Sequence, residues 1–328
     1  MSIDIGKHVI DVPVFLAPMS GVTDLPFRRL AVGQGAAMET SEMLASREAV
    51  LLTGASKKRM ARTDDNTVLA VQLAGHNPAV MAEAAALCVD SGADIIDINF
   101  GCPAKKVVGK LCGSALMRDE LQAARILEAV VGAVDVPVTL KMRTGWDDDD
   151  RNAPRLARIA EESGIRLVTV HGRTREQRYT GRADWAFIRT VKEAVSIPVV
   201  ANGDIVSLED IDASLALSGA DGVMIGRGAY GRPWFIRQAM HFVATGQRLP
   251  DPSATEQRNI VQSHFVEMLS HHGTRRGIRN FRKHVAWYSS GMPNSAEFRQ
   301  HVYTLDAADQ IQKAIDSFYG AAADRMAA

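Results

Sequence analysis

Eight short β-rich runs alternate with helical stretches, polar residues close most of those runs, and the pattern changes after about Tyr230. Together these predict an α/β chain: a (β/α)8 TIM barrel followed by a small C-terminal helical bundle domain. The chain is 46% hydrophobic and 23% charged, which suits a sizeable core and excludes a disordered protein. Lys plus Arg and Asp plus Glu balance at 38 each, so any basic surface must be a local patch.

The strands are expected at 12–17, 36–40, 68–73, 94–99, 136–142, 167–171, 197–202 and 222–225. Between them lie Ala/Leu/Glu-rich stretches such as 79–91, 120–134, 152–163 and 208–218. Several of these end at a glycine: Gly92, Gly164, Gly219. Two repeated phrases support successive βα units. Val136-Pro137-Val138 and Ile197-Pro198-Val199 both open strands, where proline is tolerated. Ser91-Gly92-Ala93-Asp94 and Ser218-Gly219-Ala220-Asp221 both join a helix end to the next strand. A doubly wound open sheet is the alternative, but no G-x-G-x-x-G opens the first helix. Past the barrel, helices are expected at 255–272, 275–289, 295–302 and 305–320. The domain boundaries are then 1–244 for the barrel, 245–254 for a linker, 255–322 for the helical domain and 323–328 for a flexible tail.

Three cysteines, Cys88, Cys102 and Cys112, do not make a disulfide framework and suit a reducing cytoplasm. Their spacing is wrong for a CxxC hook, so no metal site is expected. The stretch 1–6 lacks a charged start followed by an apolar core, and no run approaches the ~20 apolar residues that span a bilayer. A cytoplasmic protein with no membrane partner is the expectation.

In a barrel of this kind, chemistry sits at the C-terminal ends of the strands. There the sequence places Pro18-Met19-Ser20, Gln72, Asn99, Lys141-Met142-Arg143, His171-Gly172-Arg173, Asn202-Gly203-Asp204 and Gly226-Arg227, with Glu42 just past the second strand. Each alone reads more readily as a turn, a structural side chain or a solvated one; together they share one rim. The loops after strands seven and eight are the usual phosphate site. Gly203 and Gly226 let main-chain N–H groups approach a phosphate, and Arg227 supplies a positive fork. A phosphorylated ligand or cofactor is expected there. The fourth strand breaks into Gly101-Cys102-Pro103 and ends in Lys105-Lys106. By itself this is equally a reactive thiol or a small buried cysteine at a corner.

These segments, with Gly113-Ser114-Ala115-Leu116-Met117 and Lys141-Met142-Arg143-Thr144-Gly145-Trp146, resemble the bacterial tRNA-dihydrouridine synthases, in the branch of the B-type enzymes. The resemblance spans nearly the whole chain; Cys112 follows a motif position where the family has no thiol and is taken as incidental. It implies an FMN-dependent oxidoreductase that takes electrons from NADPH, with NADH as the alternative, and reduces the C5–C6 bond of a D-loop uridine in tRNA. It further implies that Pro18, Met19 and Ser20 line the flavin ring, that Gln72 bonds its pyrimidine edge and that Lys141 lies near N1/O2. His171 falls to the ribityl–phosphate side, and Asn202, Gly203, Asp204, Gly226 and Arg227 to the phosphate. Cys102 then protonates C5, a role suited to a thiol because an unperturbed one, with pKa ~8.5, is mostly protonated near neutrality. Asn99 is a candidate to hydrogen-bond the uracil or the flavin, and Arg143 and Arg173 are candidates for its carbonyl oxygens or ribose phosphate.

From Met268 to Ala296 there is no acidic residue, while Arg275, Arg276, Arg279, Arg282 and Lys283 cluster with His271, His272 and His284, and Trp287 and Tyr288 follow. This basic stripe is a candidate tRNA footprint. Lys105, Lys106 and Lys110, and Arg175, Arg178 and Arg182, extend it around the barrel mouth; Trp287 is expected in the core. Two other readings stay open: a flavin barrel acting on a small pyrimidine or enone, and a non-catalytic RNA-binding protein. A monomer is expected.

Overall fold

The computed structural model describes residues 2–63, 67–109 and 111–327; Lys110 lies outside them. Eight parallel strands form the barrel: Val14–Leu16, Met38–Thr40, Val68–Ala74, Ile95–Phe100, Val138–Arg143, Val168–His171, Val199–Asn202 and Gly222–Ile225. Each lies within about two residues of its expected run, because strands buried on both faces read as near-continuous apolar stretches. The ladder runs from the first strand to the eighth, then down in order to the second. Met224 pairs with Phe15 to bring the eighth strand against the first. The first and second strands lie side by side without a ladder among the described residues, which leaves a seam. A two-residue strand, Leu44–Ala45, extends the third strand's edge.

Alternation along the strands separates two cores. Phe15, Ala70, Ile95, Leu167, Val200 and Met224 fill the barrel interior, while Leu16, Val71, Ile96 and Val170 face the surrounding helices. An antiparallel hairpin, Ile3–Ile5 with His8–Ile10, packs Ile3, Ile5 and Ile10 onto the interior cluster and closes the bottom of the barrel. The sequence reading assigned no element there, since three-residue strands are too short to show a period. The repeated Ser-Gly-Ala-Asp phrase has a structural reason. Asp94 accepts the main-chain N–H of Leu69 at 2.9 Å and pairs with Arg62. Asp221 accepts that of Val199 at 2.8 Å and pairs with Lys192. Each carboxylate pins the start of the preceding strand.

The helix Phe235–Thr245 closes the barrel, and residues 247–253 carry no helix or strand. That segment is held down: Gln238 donates to the carbonyls of Leu249 and Pro250, and Trp234 donates to Asp251. Four helices follow, Ala254–His272, Thr274–Tyr288, Ser295–Thr304 and Ala308–Ala327. A capping box of Ser253 and Glu256 starts the first. The last helix runs on through residues 323–327, where the sequence predicted a flexible tail; Phe318, Tyr319 and Ala322 are buried and carry the helix onward. The bundle has its own core around Phe265, Ile278, Phe281, Val285 and Ile315.

The helical domain meets the barrel on both sides of the seam. After the first strand, Lys283 donates to the Gly21 carbonyl, His272 bonds Asp24 at 2.7 Å and Glu267 pairs with Arg29. After the second, Lys58 donates to the His271 carbonyl at 2.9 Å.

Candidate active site

The C-terminal ends of the strands open into a cavity of about 1530 Å³, roofed on one side by the helix Thr274–Tyr288. Pro18, Met19 and Ser20 line it, as do Gln72, Asn99 and Cys102. Lys141, on the strand beside Asn99, lines it too, with His171, Asn202, Gly203, Asp204, Gly226 and Arg227.

One side of the site is a chain of hydrogen bonds. Gln72, Asp97 and Thr139 occupy matching positions on strands three, four and five. Asp97 accepts from Thr139 Oγ1 at 2.7 Å and from Gln72 Nε2 at 2.6 Å. Asn99 Nδ2 donates to Gln72 Oε1 at 2.9 Å, and Asn99 Oδ1 accepts the main-chain N–H of Cys102 at 2.9 Å. Burial pushes the Asp97 carboxyl up to about 6, against the hydrogen bonds from Gln72 and Thr139 and the charge of Lys141. The Cys102 turn is held from behind as well. Its carbonyl accepts from the N–H and hydroxyl of Ser114, and a Cβ at Gly113, where φ is +61°, would sit 2.9 Å from that carbonyl. The Gly113-Ser114 motif is thus a support for the thiol-bearing turn. Cys102 is a free, partly exposed thiol.

The other side is electropositive. Lys141 Nζ donates to Asn202 Oδ1 at 2.9 Å, and Asn202 Nδ2 donates to the Met224 carbonyl at 2.7 Å. Burial lowers the Lys141 pKa to about 8, helped by the charge of Arg143 and opposed by Asp97. His171 is pushed well below its ordinary range by burial and then by Arg143, Lys141, Arg173 and Arg227, so its imidazole is neutral. Gly203 has φ +113°, and a Cβ there would lie 2.7 Å from the His171 ring. The main-chain N–H groups of Gly203, Asp204 and Gly226 donate to no acceptor among the described residues. That set of free donors beside a positive charge is what a phosphate requires.

Three expectations change on contact with the geometry. Asp204 does not offer its carboxylate to a ligand; it accepts from Arg173 at 2.5 Å, Arg227 at 3.0 Å and the N–H of Ala183. Burial works to raise its pKa, but those bonds hold it below the usual carboxylate range. It aims Arg227, whose guanidinium lies 4.9 Å over the Tyr179 ring. Arg173 is 1% exposed and also donates to the carbonyls of Thr180 and Gly181, which leaves it no face for uridine. Arg143 reaches the cavity, yet its bonds go to the carbonyls of Gly101, Thr174 and Arg178, so it braces the Cys102 turn from below.

The basic stripe divides into faces. Arg276, Asn280 and Lys283, spaced i, i+4, i+7, line the cavity. Arg275 and Arg279 are exposed on the neighbouring face, and Arg282 is turned away to pair with Asp306 at 3.0 Å. His284 and Tyr288 are buried in the bundle core, and burial holds His284 well below its ordinary pKa, so it adds no charge to the stripe. Trp287 is only half-buried and stacks on Tyr230 of the barrel, centroids 4.0 Å apart. Lys105 and Lys106 are exposed at the rim. The sequence reading missed Asp97 and Tyr179. Asp97 had a signal: it and Asn99 alternate with isoleucines in Ile95-Ile96-Asp97-Ile98-Asn99, placing two polar residues on the barrel's inner face.

The model of the dihydrouridine synthase (Dus) family matches residues 15–323. The chain belongs to the dihydrouridine synthase family. A probable tRNA-dihydrouridine synthase of Rickettsia conorii is 54% identical over 97% of this chain and 96% of its own. The tRNA-dihydrouridine synthase B of Proteus vulgaris is 47% identical over 96% and 98%. Among solved structures, a morphinone reductase variant in complex with tetrahydroNAD shares the fold at TM-score 0.56 and 13% identity, over 78% of this chain and 93% of that one. Family membership makes the chain an oxidoreductase that forms dihydrouridine in tRNA. Among the described residues no His, Cys, Asp or Glu cluster could hold a metal, and no helix is long and apolar enough to cross a membrane.

Proposed function

We propose that the cavity binds FMN and that the enzyme, a cytoplasmic monomer, uses NADPH to reduce the C5–C6 bond of a D-loop uridine, with Cys102 giving the proton to C5. The observation that carries this is Cys102 itself. It is a free thiol on a turn braced by Asn99, Ser114 and Arg143, at the edge of a cavity that a half-buried lysine and unclaimed N–H groups also line. Bound FMN would supply the hydride for C6.

The residues present fit that cofactor. The N–H groups at Gly203, Asp204 and Gly226, with Arg227, would take its phosphate. Lys141 would stand by the ring edge where negative charge collects, and a pKa near 8 keeps it protonated at neutral pH. The neutral His171 would lie along the ribityl chain, Gln72 would meet the pyrimidine edge, and Pro18, Met19 and Ser20 would flank the ring. Hydride addition at C6 leaves carbanion character at C5, and the Cys102 thiol donates its proton there. Asn99 would hold the uracil.

A uridine in folded tRNA must be unstacked to reach the site, at a cost of a few kcal/mol. Arg276 and Lys283 at the roof, Lys105 and Lys106 at the rim, and Arg275 and Arg279 beyond them would offset that through phosphate contacts. Purified protein should carry flavin absorbance, prefer NADPH over NADH in direct comparison, and restore dihydrouridine to tRNA from a strain deleted for its gene. A colourless protein that takes up no FMN sinks the proposal, and turnover of free uridine without tRNA would move it to the small-molecule reading.

A further inference from the structure

We infer that Asp97 is a positioning residue whose buried carboxylate sets the direction of the Gln72 and Asn99 amides, so that both turn an N–H donor to the cavity while Asn99 anchors the Cys102 turn. The inference rests on the proposed site only for what the donors meet; the direction of the chain follows from its two ends.

One end accepts only. Ionised Asp97 has no proton to give, so the Gln72 group facing it at 2.6 Å must be the NH2. Gln72 Oε1 therefore faces Asn99, which must answer with its own NH2, at 2.9 Å. The other end donates only. The main-chain N–H groups of Gly101 and Cys102 point at Asn99, at 3.2 and 2.9 Å, and require its carbonyl oxygen. Reading from either end gives the same orientation for both amides. Each NH2 spends one hydrogen inside the chain and keeps one, and both residues line the cavity.

Two like donors on one wall donate to ring carbonyls and oppose an exocyclic amine. The matching ligand chemistry is a cyclic imide, carried both by uracil and by the pyrimidine ring of a flavin. A cytosine edge would set its amine against these donors, leaving buried groups unpaired. Asp97 does not line the cavity; 6% exposed, it acts through Gln72 and Asn99.

The exchange of acceptor and donor tests this. Asp97→Asn replaces a group that can only accept with one that can face Gln72 or Thr139 with either its oxygen or its NH2, so the direction is no longer imposed, and Gln72→Glu places a carboxylate against Asp97. When the two are combined, the new amide at position 97 can donate to the new carboxylate at position 72. That carboxylate also accepts from Asn99, so the Asn99 end is restored. Side-chain amide resonances of 15N-labelled, ligand-free protein should show the Asn99 signals displaced in each single variant and returned in the double. With added FMN and transcribed tRNA, each single variant should lose at least tenfold in kcat with KM for tRNA within threefold, and the double should recover at least tenfold. FMN titration separates the two imides: the double lacks the Gln72 donor, so weak FMN binding alongside recovered kcat at saturating FMN assigns Gln72 to the flavin and Asn99 to uracil. If instead FMN binds normally and kcat does not recover although the Asn99 signals return, the two-donor assignment falls. Unmoved Asn99 signals in both single variants overturn the relay, as does a double variant whose Asn99 signals stay as displaced as in the singles. Should Asp97→Asn alone not fold, the double against Gln72→Glu decides the same point. If wild-type protein forms no dihydrouridine, the functional proposal fails, while the amide signals still judge the relay.

Discussion

The Cys102 wall of the cavity and the outer face of the helical domain are built on opposite terms. Around Cys102 nearly every polar atom is spoken for: Asp97 holds Gln72, Gln72 holds Asn99, and Asn99, Ser114 and Arg143 hold the turn. On the helix Thr274–Tyr288, Arg275 and Arg279 stand exposed in solvent. The difference fits the two tasks proposed for them. Proton transfer to one ring carbon needs atoms fixed to a fraction of an ångström. Capturing a polyanion needs charge that acts at a distance and adapts to the phosphates it meets.

The largest expected effect breaks the fixed side. Cys102→Ala should reduce turnover of tRNA by about 10²–10⁴-fold, the usual worth of a positioned general acid, with FMN affinity unchanged in titration. Turnover within threefold of wild type would show that the proton comes from elsewhere.

A second prediction sharpens the same side through stability. The Asp97 carboxyl titrates near 6 in the folded chain, against an ordinary value of 3.8. Because the folded pKa is raised, its contribution to stability is full below 3.8 and is lost as pH rises through about 6. Asp97→Asn has no such loss. Its melting temperature relative to wild type should climb between pH 4 and pH 6.5, by an amount equivalent to roughly 1–3 kcal/mol. A pH-independent difference would mean that the carboxyl is not ionising in place. The expected climb would show the relay kept at the expense of stability, a common arrangement at active sites.

The smallest effects belong to the open side. Arg276→Ala should weaken tRNA binding about threefold to tenfold and lower the salt slope by about one phosphate contact. Arg279→Ala should do less, and Arg282→Ala, already paired with Asp306, should stay within twofold. Equal losses at all three would mean that the RNA reads the whole stripe and not its cavity face.

Most of the barrel was legible because most of its strands read as near-continuous apolar runs with a polar or turn residue at or near the end. The hairpin at 3–10 was not, since its register is fixed by Ile3, Ile5 and Ile10 meeting a distant barrel interior. The site residues at strand ends were legible as a set, yet their partners were not. Asp204 and Arg173 read as ligand contacts until the folded chain set them against each other. In the stripe, sequence proximity merged residues that a 3.6-residue period assigns to a cavity face, a solvent face and a core. Asp97 shows the same limit: a lone carboxylate in an apolar strand says that something must pair with it, and only the neighbouring strands say what.

The unlatched seam between the first and second strands has a consequence for the chain as a whole. Lys283, His272 and Glu267 grip the side after the first strand, and the His271 carbonyl takes Lys58 from the side after the second. The C-terminal helices therefore act as a hasp across the joint that no ladder closes among the described residues. The same segment that roofs the cavity keeps the cylinder shut, so a loosened grip would be felt in the amide protection of the first two strands before it was felt anywhere else.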